Sequence, residues 1–136
     1  MANGRAPPGP REFLRSVGRF ERFSSGLVHL DPCSLADLRR TVRTFASELE
    51  RHLSPAPATV VEPPAPSLAR RLEAEHERFR SSVEQLRGLL TVVEGDDHGG
   101  HRQALGQYGR ILAEALRRHL ADELPREGPP AAPDRR

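Results

Sequence analysis

The 136-residue chain predicts an all-α fold, an antiparallel up-down-up-down four-helix bundle, on three observations. Apolar residues recur at steps of three and four in four separate segments, the spacing that lines one face of a helix. No run of alternating β-branched residues occurs that would build a strand. Clusters of proline and glycine separate the periodic segments, and four amphipathic helices with short or Pro-rich connectors close most simply as a bundle.

The first segment runs from Arg11 to about Leu30, with Phe13, Val17, Phe20 and Leu27 on its inward stripe and Asp31-Pro32 ending it. Ser34 is placed as the N-cap of the second helix, with Asp37 three residues on in imitation of a capping box. That helix carries the most regular stripe: Leu35, Leu38, Val42, Phe45, Leu49 and His52. The connector SPAPATVVEPPAP holds too much proline to be helical throughout. Ser67 is the expected N-cap of the third helix, whose stripe is Leu68, Leu72, His76, Phe79, Val83, Leu86 and Leu90. Gly95-Asp96-Asp97-His98-Gly99-Gly100 reads as a loop. The last helix is expected from about His101 to Leu124, with Leu105, Tyr108, Leu112, Ala115 or Leu116, His119 and Glu123 on one face and Pro125 as its stop.

Composition narrows the function. The ends, MANGRAPPGP (1–10) and residues 128–136, are Pro-, Gly- and Arg-rich and are expected to be disordered tails around a single domain at 11–127. All 21 basic residues are arginine, yet 19 acidic residues leave a net charge of only +2. The doublets Arg39-Arg40, Arg70-Arg71 and Arg117-Arg118 lie in helices that also carry carboxylates, so no nucleic-acid partner is expected. No apolar run approaches a membrane span, no signal-peptide core stands at the start, and the one cysteine, Cys33, cannot close an internal disulfide. A cytoplasmic protein is expected. There is no nucleophile–base pair, phosphate-binding glycine loop or zincin motif, so an enzyme is not expected.

Three of the six histidines stand on apolar stripes. In an antiparallel bundle the ends of helices two and four meet the beginning of helix three. His52, His76 and His119 should therefore converge on one layer of the core, with Glu123 one turn beyond His119 and facing the same way. Neutral imidazoles with one carboxylate are a donor set for iron, zinc or copper. Against this stands the plainer reading, in which each buried polar group hydrogen-bonds a neighbour. His29, His98 and His101 are read as solvent-exposed, the last two flanking the glycine loop.

The pattern resembles the hemerythrin-like family, the HHE cation-binding four-helix bundles. The resemblance covers about residues 11 to 127 and rests on RRLEAEHERFRSSVEQLRGLL and LRRHLADELP, with FASELERHLSPAPATVV in support. It implies non-haem iron, with zinc a lesser choice, and binding or sensing of a small diatomic ligand such as O2 or NO. His52 matches the family's helix-two histidine, His76 the helix-three one, and His119 and Glu123 the helix-four pair. The helix-two carboxylate is replaced by Ala56 between Pro55 and Pro57, and Phe13, Val17 and Phe20 occupy the place of a helix-one histidine. A centre with one carboxylate is expected to hold one metal ion instead of two. Glu73, three residues before His76, is a candidate additional ligand. The alternative is a member that has lost its metal and serves as a scaffold or protein-interaction module.

Overall fold

The computed structural model describes residues 9–53 and 66–127. Among these there are four α-helices and no strands: α1 (Pro10–Val28), α2 (Leu35–Leu53), α3 (Pro66–Gly95) and α4 (Gly99–Glu127). The Pro/Arg-rich termini and Ala56 with its flanking prolines lie outside the described residues. No described helix is long and apolar enough to cross a membrane.

Each boundary has a local cause, and several differ from the expected ones. α1 opens with Pro10 in its first turn, where a missing N–H costs nothing. It stops at Val28, two residues before the expected Leu30. There the chain turns back on itself: Leu30 takes φ 60°, and its N–H and that of Asp31 donate to the carbonyls of Leu27 and Gly26. A left-handed residue without glycine costs about 1 kcal/mol or more, offset in part because the Leu30 side chain packs over Gly99. Ser34 caps α2 as expected, its Oγ accepting from the Asp37 N–H at 3.0 Å. α3 begins at Pro66, so Ser67 falls inside its first turn instead of capping it.

α4 departs furthest from expectation. Gly99 and Gly100 belong to the helix, and the His98 imidazole caps it, Nδ1 accepting from the N–H groups of Gly100 and His101 at 3.1 and 3.4 Å. The far end passes through Pro125 to Glu127. The ring removes the bond to the carbonyl of Ala121, a residue exposed to water, which can supply a substitute.

Among the described residues the helices pack in a ring, the backbone of α1 close to α4 and α2 and that of α3 close to α2 and α4, and His52 reaches across the α2–α4 diagonal to Glu123. Arg39 pairs with Glu94, and Arg87 pairs with Glu50 through two 2.8 Å bonds, so the start of α2 faces the end of α3. His76 and Arg71 near the start of α3 meet His119 and Asp122 near the end of α4. The core is built from residues of the expected stripes with Ala46, Leu53, Val93, Ala113 and Leu120 added to them. Phe13, Val17, Leu38, Val42, Leu49, Val83, Leu86, Leu105, Leu116 and Leu120 are all sealed from solvent. Each such residue contributes about 1.5–3 kcal/mol by leaving water. Phe20 stacks on Phe45 with centroids 4.0 Å apart. On α4 it is Leu116, not Ala115, that faces inward.

The α1–α4 seam is close because α4 presents Gly106 and Gly109 to it. A Cβ on Gly106 would stand 2.6 Å from the Ser24 carbonyl, and one on Gly109 only 2.2 Å from Ser24 Oγ. Only glycine permits this approach.

Candidate metal centre

His52 ends the α2 stripe, His76 lies near the start of α3, and His119 and Glu123 lie one turn apart near the end of α4. One ligand atom from each of the four falls within 4.8 Å of every other. The side chains of His119, His52, Glu123 and His76 are 1, 7, 12 and 26% exposed, so water reaches the group from the His76 side. Phe13 stacks on His52 at 4.8 Å, and Phe79 meets the His119 ring edge-on at 5.2 Å.

Three of the donors form a near-equilateral triangle. His76 Nε2 to His119 Nε2 is 3.0 Å, His76 Nε2 to Glu123 Oε2 is 3.2 Å and His119 Nε2 to Glu123 Oε2 is 2.9 Å. Adjacent ligands on an octahedral ion with bonds of about 2.1 Å stand about 3.0 Å apart, whereas tetrahedral geometry would set them about 3.4 Å apart. Two imidazoles and one carboxylate at these separations are a donor set for a divalent transition metal. His52 Nε2 approaches the other carboxylate oxygen, Glu123 Oε1, at 2.9 Å. Both atoms are buried, yet they are not aligned as a hydrogen bond and neither has another partner among the described residues.

Proton positions sharpen the picture. His119 Nδ1 lies 2.7 Å from Glu75 Oε1. A carboxylate accepts, so Nδ1 carries a proton, while Nε2 faces Glu123 Oε2 at 2.9 Å, where a proton or a cation must stand. Nε2 also faces a second ring nitrogen, His76 Nε2, at 3.0 Å. Two nitrogen lone pairs do not sit at that distance without a proton or a cation between them. Burial would push the His119 imidazole down, but Glu123 and Glu75 outweigh it and hold it above its ordinary value. Burial likewise would raise Glu123, yet the imidazoles of His119, His52 and His76 hold it far below the usual carboxylate range. Positive charge, as protons on the rings or as a cation, is therefore favoured between these groups.

Of the expected ligands, four come together and Glu73 does not. Glu73 lies exposed on α3, and the second carboxylate of the site is Glu75. At about 100° per residue, Glu75 lies roughly 40° from the middle of the buried α3 stripe and Glu73 roughly 120°. A reading centred on the stripe, not on His76, would have found it. His29 and His98 are exposed as expected, whereas His101 is only half-exposed.

No protein-family model, no curated protein and no solved structure matches the chain.

Proposed function

We propose that His52, His76, His119 and Glu123 hold one divalent transition-metal ion, iron, within a hemerythrin-like up-down-up-down bundle, and that the protein binds or senses a small diatomic ligand there. The observation that carries this reading is the pair His52 Nε2 and Glu123 Oε1. They are buried 2.9 Å apart, an ion-pair distance at which the ring N–H is not aligned for a hydrogen bond, as two ligands of a common ion would be.

One ion fits better than two. Phe13 lies face-on against His52 and stacks on Phe45, so that side of the centre is aromatic. Among the described residues, the one other group of three or more potential ligands is Asp96, His98 and His101, toward the other end of α4. When bound, iron supplies a redox-active Lewis-acid position for a small ligand. The chain's own part is to orient three imidazoles, to balance charge with Glu123, and to exclude bulk water with Phe13 and Phe79. Solvent access past His76 gives a small molecule a way in.

The alternative is a metal-free polar cluster in a scaffold bundle. It draws on the distances from Glu123 Oε2 to His76 and His119, both within hydrogen-bond range. The readings separate on metal content. Protein purified from iron-supplemented cells should carry about one iron per chain, and its melting temperature should fall when a chelator removes the metal, because ligation stabilises only the folded form. Iron at background level, with a melting temperature indifferent to added Fe(II), would overturn the metal reading and leave the scaffold.

A further inference from the structure

Among the three converging histidines, only His119 has a carboxylate on its outward ring nitrogen. Glu75 Oε1 accepts from Nδ1 at 2.7 Å, and among the described residues neither His52 nor His76 has a counterpart. His119 is also the most deeply buried of the three. A buried imidazole has two neutral tautomers, and only one places a lone pair on Nε2, the atom that faces His76 and Glu123.

We infer that Glu75 is the positioning residue of this centre: by accepting the Nδ1 proton of His119 it fixes the tautomer and ring orientation that make Nε2 a metal ligand. The inference rests on the metal reading above and assigns to it a carboxylate that does not itself touch the ion. Outer carboxylates of this kind raise the basicity of the imidazole they hold, and losing one typically weakens metal binding by about 10–100-fold.

Glu75 is itself held in place. Its second oxygen, Oε2, lies 3.7 Å from Arg71 Nε one turn earlier on α3. Arg71 Nη2 reaches across to Asp122 on α4 at 2.5 Å. A chain of alternating charge therefore runs Asp122, Arg71, Glu75, His119 and then the converging ligand atoms, bridging α3 and α4 beside the centre. Its outer members are solvated, with side-chain exposures of 53% for Arg71 and 40% for Asp122 against 19% for Glu75. Exposed ion pairs contribute little, so the orienting effect is concentrated in the Glu75–His119 bond, and Arg71 only restricts the Glu75 rotamer.

The test is a Co(II) titration of the full-length protein followed by calorimetry and by the d–d absorption bands, comparing the native chain with Glu75→Ala, Glu75→Gln and Arg71→Ala. Glu75→Ala should weaken the Kd by about 10–100-fold and alter the d–d bands. Glu75→Gln keeps a side-chain oxygen that can accept from Nδ1 and should fall between Ala and native. Arg71→Ala should stay within about threefold of native, as expected for an exposed pair. If Glu75 only braces α3, its variants will lower the melting temperature of the metal-free protein and leave the Kd and spectrum unmoved, which overturns the inference. Tight binding by native and Glu75→Ala alike overturns it while sparing the metal reading, and absence of binding by the native chain overturns both. Should Glu75→Ala not fold, Glu75→Gln alone still decides, because it preserves shape while removing charge.

Discussion

Two groups of histidines and carboxylates stand toward opposite ends of α4, and ligand spacing alone does not tell them apart. His52, His76, His119 and Glu123 form one; Asp96, His98 and His101 form the other. In the first, Glu75 accepts the Nδ1 proton of His119, so Nε2 is the ring atom that can turn a lone pair to a cation without breaking a backbone bond. In the second, the His98 Nδ1 lone pair already accepts from the N–H groups of Gly100 and His101, so the neutral ring carries its proton on Nε2. His101 Nδ1 donates to the Asp96 carbonyl at 2.8 Å, and the two rings tilt against each other at 3.8 Å. This second group is a helix cap, and taking up a cation through His98 would require moving a proton or breaking the cap. Where the ring protons lie, more than how closely the residues gather, separates a ligand set from a structural motif.

The comparison can be broken in four places. His119→Ala should have the largest effect, weakening metal binding by more than the roughly 10–100-fold typical of losing an outer partner. In metal-free protein it should cost about 1–3 kcal/mol by chemical denaturation, because Glu75 and Glu123 lose a shared donor. Equal destabilisation with and without Fe(II) would favour the scaffold reading. Gly106→Ala forces a Cβ against the Ser24 backbone and should cost about 1–3 kcal/mol. The ligands lie on α2, α3 and α4, so its Co(II) affinity should stay near native; a large loss would mean that the α1–α4 seam also shapes the centre.

Smaller changes are expected at the other group. The double change His98→Ala, His101→Ala should cost about 1 kcal/mol, the scale of a lost N-cap, measured by thermal melting. Metal stoichiometry should not change. Asp97→Asn should act near neutral pH and lose its effect in acid. Hydrogen bonds from Arg102, at 2.6 and 2.9 Å, hold the Asp97 carboxyl below its ordinary value. The folded pKa lies under the unfolded one, so this stabilisation is fully present above about pH 4 and is lost as the pH falls through the folded value. The variant should be slightly less stable near neutrality and show a shallower loss of stability in acid.

Much of this arrangement was legible from side-chain spacing. The stripe ending Phe45, Leu49, His52 placed His52 inward because each step turns the helix back to the same face, and the His119–Glu123 spacing of one turn aligned those two for the same reason. The four helices followed from the same periodicity. What escaped was set by geometry across helices or by backbone hydrogen bonds. Glu75 escaped because carboxylates on either side of His76 look alike from that residue alone, although Glu75 lies nearer the middle of the buried stripe than Glu73. The glycines at 99 and 100 signalled a loop, yet the His98 ring satisfies the N–H groups that would otherwise leave the helix start unpaired. Gly106 and Gly109 carried no signal of their own, because close approach is a property of the partner helix.

The most direct measurement is the Co(II) stoichiometry of the His98→Ala, His101→Ala protein beside that of Glu123→Ala, each read by absorption titration at neutral pH. One equivalent bound tightly by the first and none by the second would place a single ion among His52, His76, His119 and Glu123. Binding lost from the first and kept by the second would assign it to the cap at Asp96, His98 and His101, and the centre described above would not exist.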